Sequence, residues 1–142
     1  MMKKLNIALA SLLLLGSVQV ATAAEPTLYD QLGGDAGVTK IIDGMVGHVA
    51  ADTRINSFFA NANIPRLKKL LVEQVCAGAG GPCTYKGQDM VAAHKGMKIN
   101  SAQFNALVED LQKSLADNNV DIGAGNKLLA MLAPMKTDVD NK

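Results

Sequence analysis

Apolar residues recur every three or four positions in one stretch after another of this chain, and nowhere do they alternate over a useful length. That spacing marks helices with one buried face and leaves no strand from which to build a sheet. Val38, Ile41, Ile42, Met45, Val46 and Val49 define the first face, with Asp35 and Asp52 suited to its ends. Asn56 to Phe59 reads as a turn feeding two aromatics. A second helix is expected from about Asn63, with Pro65 in its first turn, where a missing N–H does no harm. Ile64, Leu67, Leu70, Leu71 and Val75 form its apolar side, and Lys68, Lys69 and Glu73 face water. The glycine run from Gly78 to Gly87 breaks it. A short helical piece, Gln88 to His94, stops at Gly96. A third long helix starts at Asn100 or Ser101, with Ser101 suited as its cap, and buries Phe104, Leu107, Val108, Leu111 and Leu115. Asn118-Asn119 and Gly123 to Gly125 separate it from a last helix carrying Leu128, Leu129, Leu132 and Met135, which Pro134 kinks or shortens. The fold class is all-α, one domain, with no internal repeat.

The first 23 residues are expected to be an address. Lys3 and Lys4 precede an apolar stretch from Ile7 to Val20, and Ala21-Thr22-Ala23 supplies small residues where a signal peptidase reads. An uncleaved anchor wants about 20 apolar residues, more than this stretch holds. No cysteine follows the cleavage point, which argues against a lipoprotein. The expected organisation is a signal peptide at 1–23 and one domain at 24–142, exported, with the periplasm as its expected destination. The whole chain has 142 residues and a net charge of +1. Losing two lysines brings the mature domain to −1. Neither charge makes an electrostatic case for nucleic acid, and the cleaved protein needs no membrane. With no Trp, 3 Phe and 2 Tyr, the aromatic platforms that bind single-stranded nucleic acid are missing.

Cys76 and Cys83 enclose a glycine- and proline-rich turn, and in an oxidising compartment two such thiols are expected to pair as a structural staple. Neither CxxC nor CxxCH is present, so a redox motif and haem attachment through cysteine are not expected. Phosphate loops, HExxH, GxSxG and EF-hand patterns are absent as well. Two histidines remain. His48 lies off the apolar stripe of its helix and reads as a solvent-side residue. His94 ends Met90-Val91-Ala92-Ala93-His94 with small neighbours, so its imidazole could give one nitrogen to a metal and the other to a backbone carbonyl. By spacing alone a single histidine is more often structural.

An ordered set of segments changes that weighing. Leu28-Tyr29-Asp30-Gln31-Leu32-Gly33-Gly34 is followed by Asp52 to Phe59 ending in Phe58-Phe59, then Arg66-Leu67-Lys68 and Gly80-Gly81-Pro82. Tyr85-Lys86-Gly87, Met90 to His94, Gly96-Met97-Lys98-Ile99 and Ala133-Pro134-Met135 complete it. Each piece is weak alone, but in this order, from about Thr27 to Val139, the chain resembles a truncated haemoglobin of the first group. The resemblance implies a two-over-two helical sandwich around one non-covalent haem b. It makes His94 the proximal iron ligand and Phe59 the ring packed on the haem face. It places Leu67, Leu71 and Val46 on the distal side and Tyr85 and Met90 along the proximal edge. Phe58 is expected simply to fill core, and Arg66, Lys68 or Lys69 to approach the propionates.

The distal side departs from the family pattern. Where many relatives carry Phe-Tyr this chain has Met45-Val46, and a common glutamine is matched by Leu71. Both usual donors to the gas ligand are missing, and such a hydrogen bond is worth roughly 1.5–3 kcal/mol. Fast oxygen release, little preference for oxygen over carbon monoxide and easy conversion to the ferric form are therefore expected, with Gln74 or a water the remaining candidate donors. Closure of the sixth position by Met45 or Lys69 is the alternative to an open site. The leading function is reversible binding of a diatomic gas (oxygen, carbon monoxide or nitric oxide) by a monomer served by a separate reductase, not an enzyme. The rivals are a haem enzyme acting on nitric oxide or peroxide, and a haem-free interaction module in which His94 is structural. A Soret band lost in His94→Ala separates the last of these from the others.

Overall fold

The computed structural model describes residues 19–142, so most of the segment read as a signal peptide (1–23) lies outside the described residues. Residues 19–27 have no regular secondary structure. Among the described residues every element is helical, and no helix is long and apolar enough to cross a membrane.

Helix α1 (Leu28–Gln31) adds to the helices expected from the sequence, because four residues are too few to show a period. A capping box makes it: the Thr27 hydroxyl accepts from Asp30 N at 3.1 Å while Thr27 N donates to the Asp30 carboxylate at 2.9 Å. Gly33 and Gly34 then take φ of 92° and 65°, a left-handed reversal that a side chain would strain. Helix α2 (Gly34–Ala51) follows, burying Val38, Ile41, Ile42, Met45 and Val49 as its spacing requires and ending on Asp52. A 3-10 helix (Asn56–Phe59) turns the chain. Helix α3 (Ile64–Gly78) opens with Asn63 accepting from Arg66 N at 3.1 Å and Pro65 in the first turn.

The later elements correct three expectations. The short helix α4 runs over Met90–His94, not from Gln88, because Asp89 caps it by accepting from Ala92 N at 2.8 Å. Helix α5 (Ser101–Asp117) is capped by Asn100, not Ser101. Asn100 forms a reciprocal box with Gln103, and the Ser101 hydroxyl instead donates to Asp140 at 2.7 Å. Helix α6 (Ile122–Leu132) begins at the Asp121 cap, so Gly123 and Gly125 lie inside it and do not separate elements. Pro134 shortens α6 as expected. The chain passes into a 3-10 turn (Ala133–Met135) and a final turn of helix, α7 (Lys136–Val139).

Helix α2 is the hub, packed against α3 on one side and α5 on the other, while α5 also meets α6 and α7. The buried face of α5 is not purely the stripe expected. Ala106, Asp110, Leu111, Ser114 and Leu115 are buried, and Phe104, Leu107 and Val108 are only partly so. Ser114 belongs there because Gly44 lets the two helices approach. Its hydroxyl donates to the Ile41 carbonyl at 2.6 Å, and a Cβ on Gly44 would collide with that hydroxyl. Gly44→Ala is therefore expected to destabilise the fold by about 1–3 kcal/mol in thermal unfolding. Gly47→Ala meets nothing within 4 Å and should raise stability by roughly 0.8–1 kcal/mol through helix propensity alone.

Candidate functional site

A cavity of about 1190 Å³ lies between α2, α3, α4 and α5. That is larger than the roughly 300–1,000 Å³ typical of drug-sized ligands. The structure brings His94, Phe59, Leu67, Leu71, Tyr85, Met90 and Val46 together as lining residues. Helices α2 and α3 contribute an apolar patch formed by Met45, Val46, Leu67 and Leu71, with Arg66 and Gln74 lining the cavity from the same α3. Helix α5 adds Phe104, Leu107, Val108 and Leu111, together with the polar Gln103, Asn105 and Gln112, so it packs on α2 and also lines the cavity. No carboxylate lines it among the described residues.

His94 enters from the last residue of α4. Its Nδ1 lies 2.8 Å from the Met90 carbonyl oxygen. A carbonyl only accepts, so Nδ1 carries a proton, and the nitrogen with which this ring would bind a metal is Nε2. That arrangement fixes both tautomer and ring orientation, the device that holds metal-ligating histidines. An imidazole nitrogen in a wide, largely apolar, carboxylate-free slot suits a large flat prosthetic group. It does not suit a hydrated metal ion, and no group of three or more His, Cys, Asp or Glu is present among the described residues.

The aromatic pair is positioned by the corner after α2. Asp52 Oδ1 accepts from Arg54 N and Nε, both at 3.0 Å, and Oδ2 accepts from Nη2 at 2.8 Å. The Arg54 Nη1 reaches Glu109 on α5 at 2.7 Å. The guanidinium bonds hold the Asp52 carboxyl down to about 2, so the corner stays ionised through the neutral range. Both Phe58 and Phe59 line the cavity, which corrects the assignment of Phe58 to core filling alone: it packs on the core and also faces the cavity.

Helix α3 and the loop after it make the remaining wall. Cys76 and Cys83 are bonded, with their Cα atoms 5.7 Å apart. The bond ties the end of α3 to the loop that carries Tyr85 and leads to α4. Tyr85 donates to the Gln88 carbonyl at 2.7 Å. Burial, and then the charges of Asp89 and Glu73, push its phenol pKa up, so it remains a donor. A side chain at Gly87 would strike the Tyr85 ring and hydroxyl, so only glycine admits this turn. Closing a loop this short is worth about 2.5 kcal/mol. Replacing both cysteines by serine should accordingly lower Tm by roughly 5–15 °C in a calorimetric scan.

Several expected neighbours are placed elsewhere. Lys68 pairs with Asp43 at 3.0 Å, and Lys69 is exposed and does not line the cavity. Neither is among the residues that line the cavity. Of the three basic candidates only Arg66 lines the cavity, joined there by Lys86 and Lys136, which sequence reasoning missed. Gln74, a candidate donor, has its amide nitrogen 3.6 Å from the Met90 sulfur and 3.4 Å from the Met135 sulfur, turned to the elements around His94. His48 is partly exposed, 2.7 Å from Asp117 on α5, and does not line the cavity.

Comparison with known proteins agrees with this geometry. The family model described as bacterial-like globin matches residues 27–141. A group 1 truncated haemoglobin of Tetrahymena thermophila is 32% identical over 108 residues, covering 74% of this chain and 89% of the relative. One from Mycolicibacterium paratuberculosis is 30% identical, covering 82% and 86%. The ferric crystal structure of the Tetrahymena pyriformis truncated haemoglobin superposes with a TM-score of 0.79 at 29% identity, covering 82% of this chain and all of that one. The all-α architecture is thus the two-over-two sandwich of those structures, with no strand among the described residues. By sequence, by fold and by the cavity those helices enclose, the chain belongs to the bacterial-like globins, as a group 1 truncated haemoglobin.

Proposed function

We propose that this truncated haemoglobin holds one non-covalent haem b through His94 Nε2 and binds a diatomic gas reversibly on the opposite face. The single observation carrying the reading is the Nδ1 to Met90 carbonyl bond of 2.8 Å, which leaves Nε2 as a free donor atom in a wide apolar cavity. When bound, the haem supplies a ferrous iron with an exchangeable coordination position. The chain does the rest. Phe58 and Phe59 would pack on the ring system, and Arg66, Lys86 and Lys136 would supply positive charge for its carboxylates. Met45, Val46, Leu67 and Leu71 exclude water from the gas-binding face.

A binder is favoured over an enzyme because that face offers no acid–base side chain with which to move a proton. Turnover of nitric oxide or peroxide would leave any proton transfer to water. We further propose export to an oxidising compartment, a reading supported by the Cys76–Cys83 bond, and a monomer re-reduced by a separate protein. Optical titration of the haem-loaded protein with oxygen, carbon monoxide and nitric oxide tests the function. Sharp, reversible spectral conversion with each gas is expected. A six-coordinate ferrous spectrum unmoved by carbon monoxide would overturn it.

A further inference from the structure

Four methionines, Met45, Met90, Met97 and Met135, line the cavity, and two of them share a feature that the others lack. The side-chain amide of Gln74 sits between the sulfurs of Met90 and Met135, at 3.6 and 3.4 Å. All three residues are partly buried and come from different elements, α3, α4 and the 3-10 turn before α7. Thioether sulfur is a weak acceptor, so the amide is poorly satisfied by either neighbour. A sulfoxide oxygen at either sulfur is a strong acceptor within the amide's reach. We infer that Met90 and Met135 form a built-in oxidation site for hydrogen peroxide beside His94, with the Gln74 N–H stabilising the charge on oxygen as the S–O bond forms.

The chemistry balances without a further reagent. A sulfur lone pair attacks one peroxide oxygen, the S–O bond forms and the O–O bond breaks. Sulfur is oxidised by two electrons, peroxide is reduced, and the proton on the transferred oxygen passes to the departing hydroxide to give water. A sulfoxide in an apolar wall ordinarily carries the desolvation cost of its oxygen. Here the Gln74 N–H offsets it, whereas Met45 shares its wall with Val46 and Leu71, neither of which has a side-chain donor. Met131 packs on Gly78, away from the cavity lining, and serves with Met97 as an internal control. The site goes beyond gas binding and does not depend on which gas the iron takes. Because Met90 also supplies the carbonyl that orients His94, its oxidation reports on the wall nearest that ligand.

The test treats haem-loaded protein with a few equivalents of hydrogen peroxide, quenches with catalase and maps the added oxygen by peptide mass spectrometry. Met135 and Met90 are expected to react ahead of Met45, Met97 and Met131. In Gln74→Leu, and in Gln74→Glu, whose carboxylate keeps the shape but cannot donate, both should slow about fivefold while the controls keep their rates. Oxidation that starts at Met97, Met131 or Met45, or a Gln74 variant that leaves the Met90 and Met135 rates unchanged, overturns the inference. The order in the unaltered protein decides by itself should a variant fold poorly.

Discussion

His94→Ala is expected to abolish the Soret band of haem-supplied protein, or to reduce haem affinity by more than about a hundredfold. Loss of an outer partner of a metal ligand typically costs about 10- to 100-fold, and here the ligand itself is removed. The other histidine cannot replace it, because His48 is held by Asp117 outside the cavity. His94→Gly leaves room for a small molecule, so added imidazole should restore the band. His48→Ala should leave the spectrum unchanged. Pigment retained with an unaltered spectrum in His94→Ala would sink the assignment. Failure of imidazole rescue with intact helical circular dichroism would point instead to collapse of α4, whose carbonyl and imidazole hold each other.

How much of this was legible in the sequence depends on what each residue answers to. The long helices are readable because α2 buries one side and α3 turns its apolar side to the cavity, and both apolar periods report it. Helix α5 was read only in part. It buries a polar and small stripe, Ala106, Asp110 and Ser114, against α2 and turns Phe104, Leu107 and Val108 to the cavity. An apolar period sees only the second of these. The close approach at Gly44 that draws Ser114 inward is a relation between two helices, and neither helix's sequence contains it. Gly123 and Gly125 misled for the converse reason. Gly125 is buried with its would-be Cβ 3.5 Å from Leu115, so packing, not breaking, placed it there.

The site divides in the same way. His94 and its carbonyl partner follow from a local i to i−4 relation within one short helix, so the sequence carried them. The basic rim did not follow, because Lys68 and Lys136 look alike as text. One is taken by Asp43 across α2, and the other stands over the Phe104 ring at 6.0 Å. The sequence offers Gln74 only as a possible donor to the gas. What its amide meets is decided by Met90 and Met135, 16 and 61 residues away.

Oxygen dissociation should be fast in the unaltered protein, and Val46→Tyr should slow it about ten- to 150-fold. The wall formed by Met45, Val46, Leu67 and Leu71 holds no donor. The amide of Gln74 is already turned to two sulfurs on the elements around His94. Bound oxygen carries partial negative charge, and one hydrogen bond to it is worth roughly 1.5–3 kcal/mol, which is that range of rates. Carbon monoxide carries less charge, so its release should change little, and the variant's preference should shift toward oxygen. Leu71→Gln tests the same idea from α3 and should act in the same direction if the introduced phenol ring proves too large for the slot. The same missing bond leaves the ferrous form open to spontaneous oxidation, so both variants should also lengthen its lifetime in air. Stopped-flow oxygen release as slow in the unaltered protein as in Val46→Tyr would mean that a donor is already present. Gln74→Leu then tests one source: acceleration identifies its side chain, and no change assigns the bond to another donor.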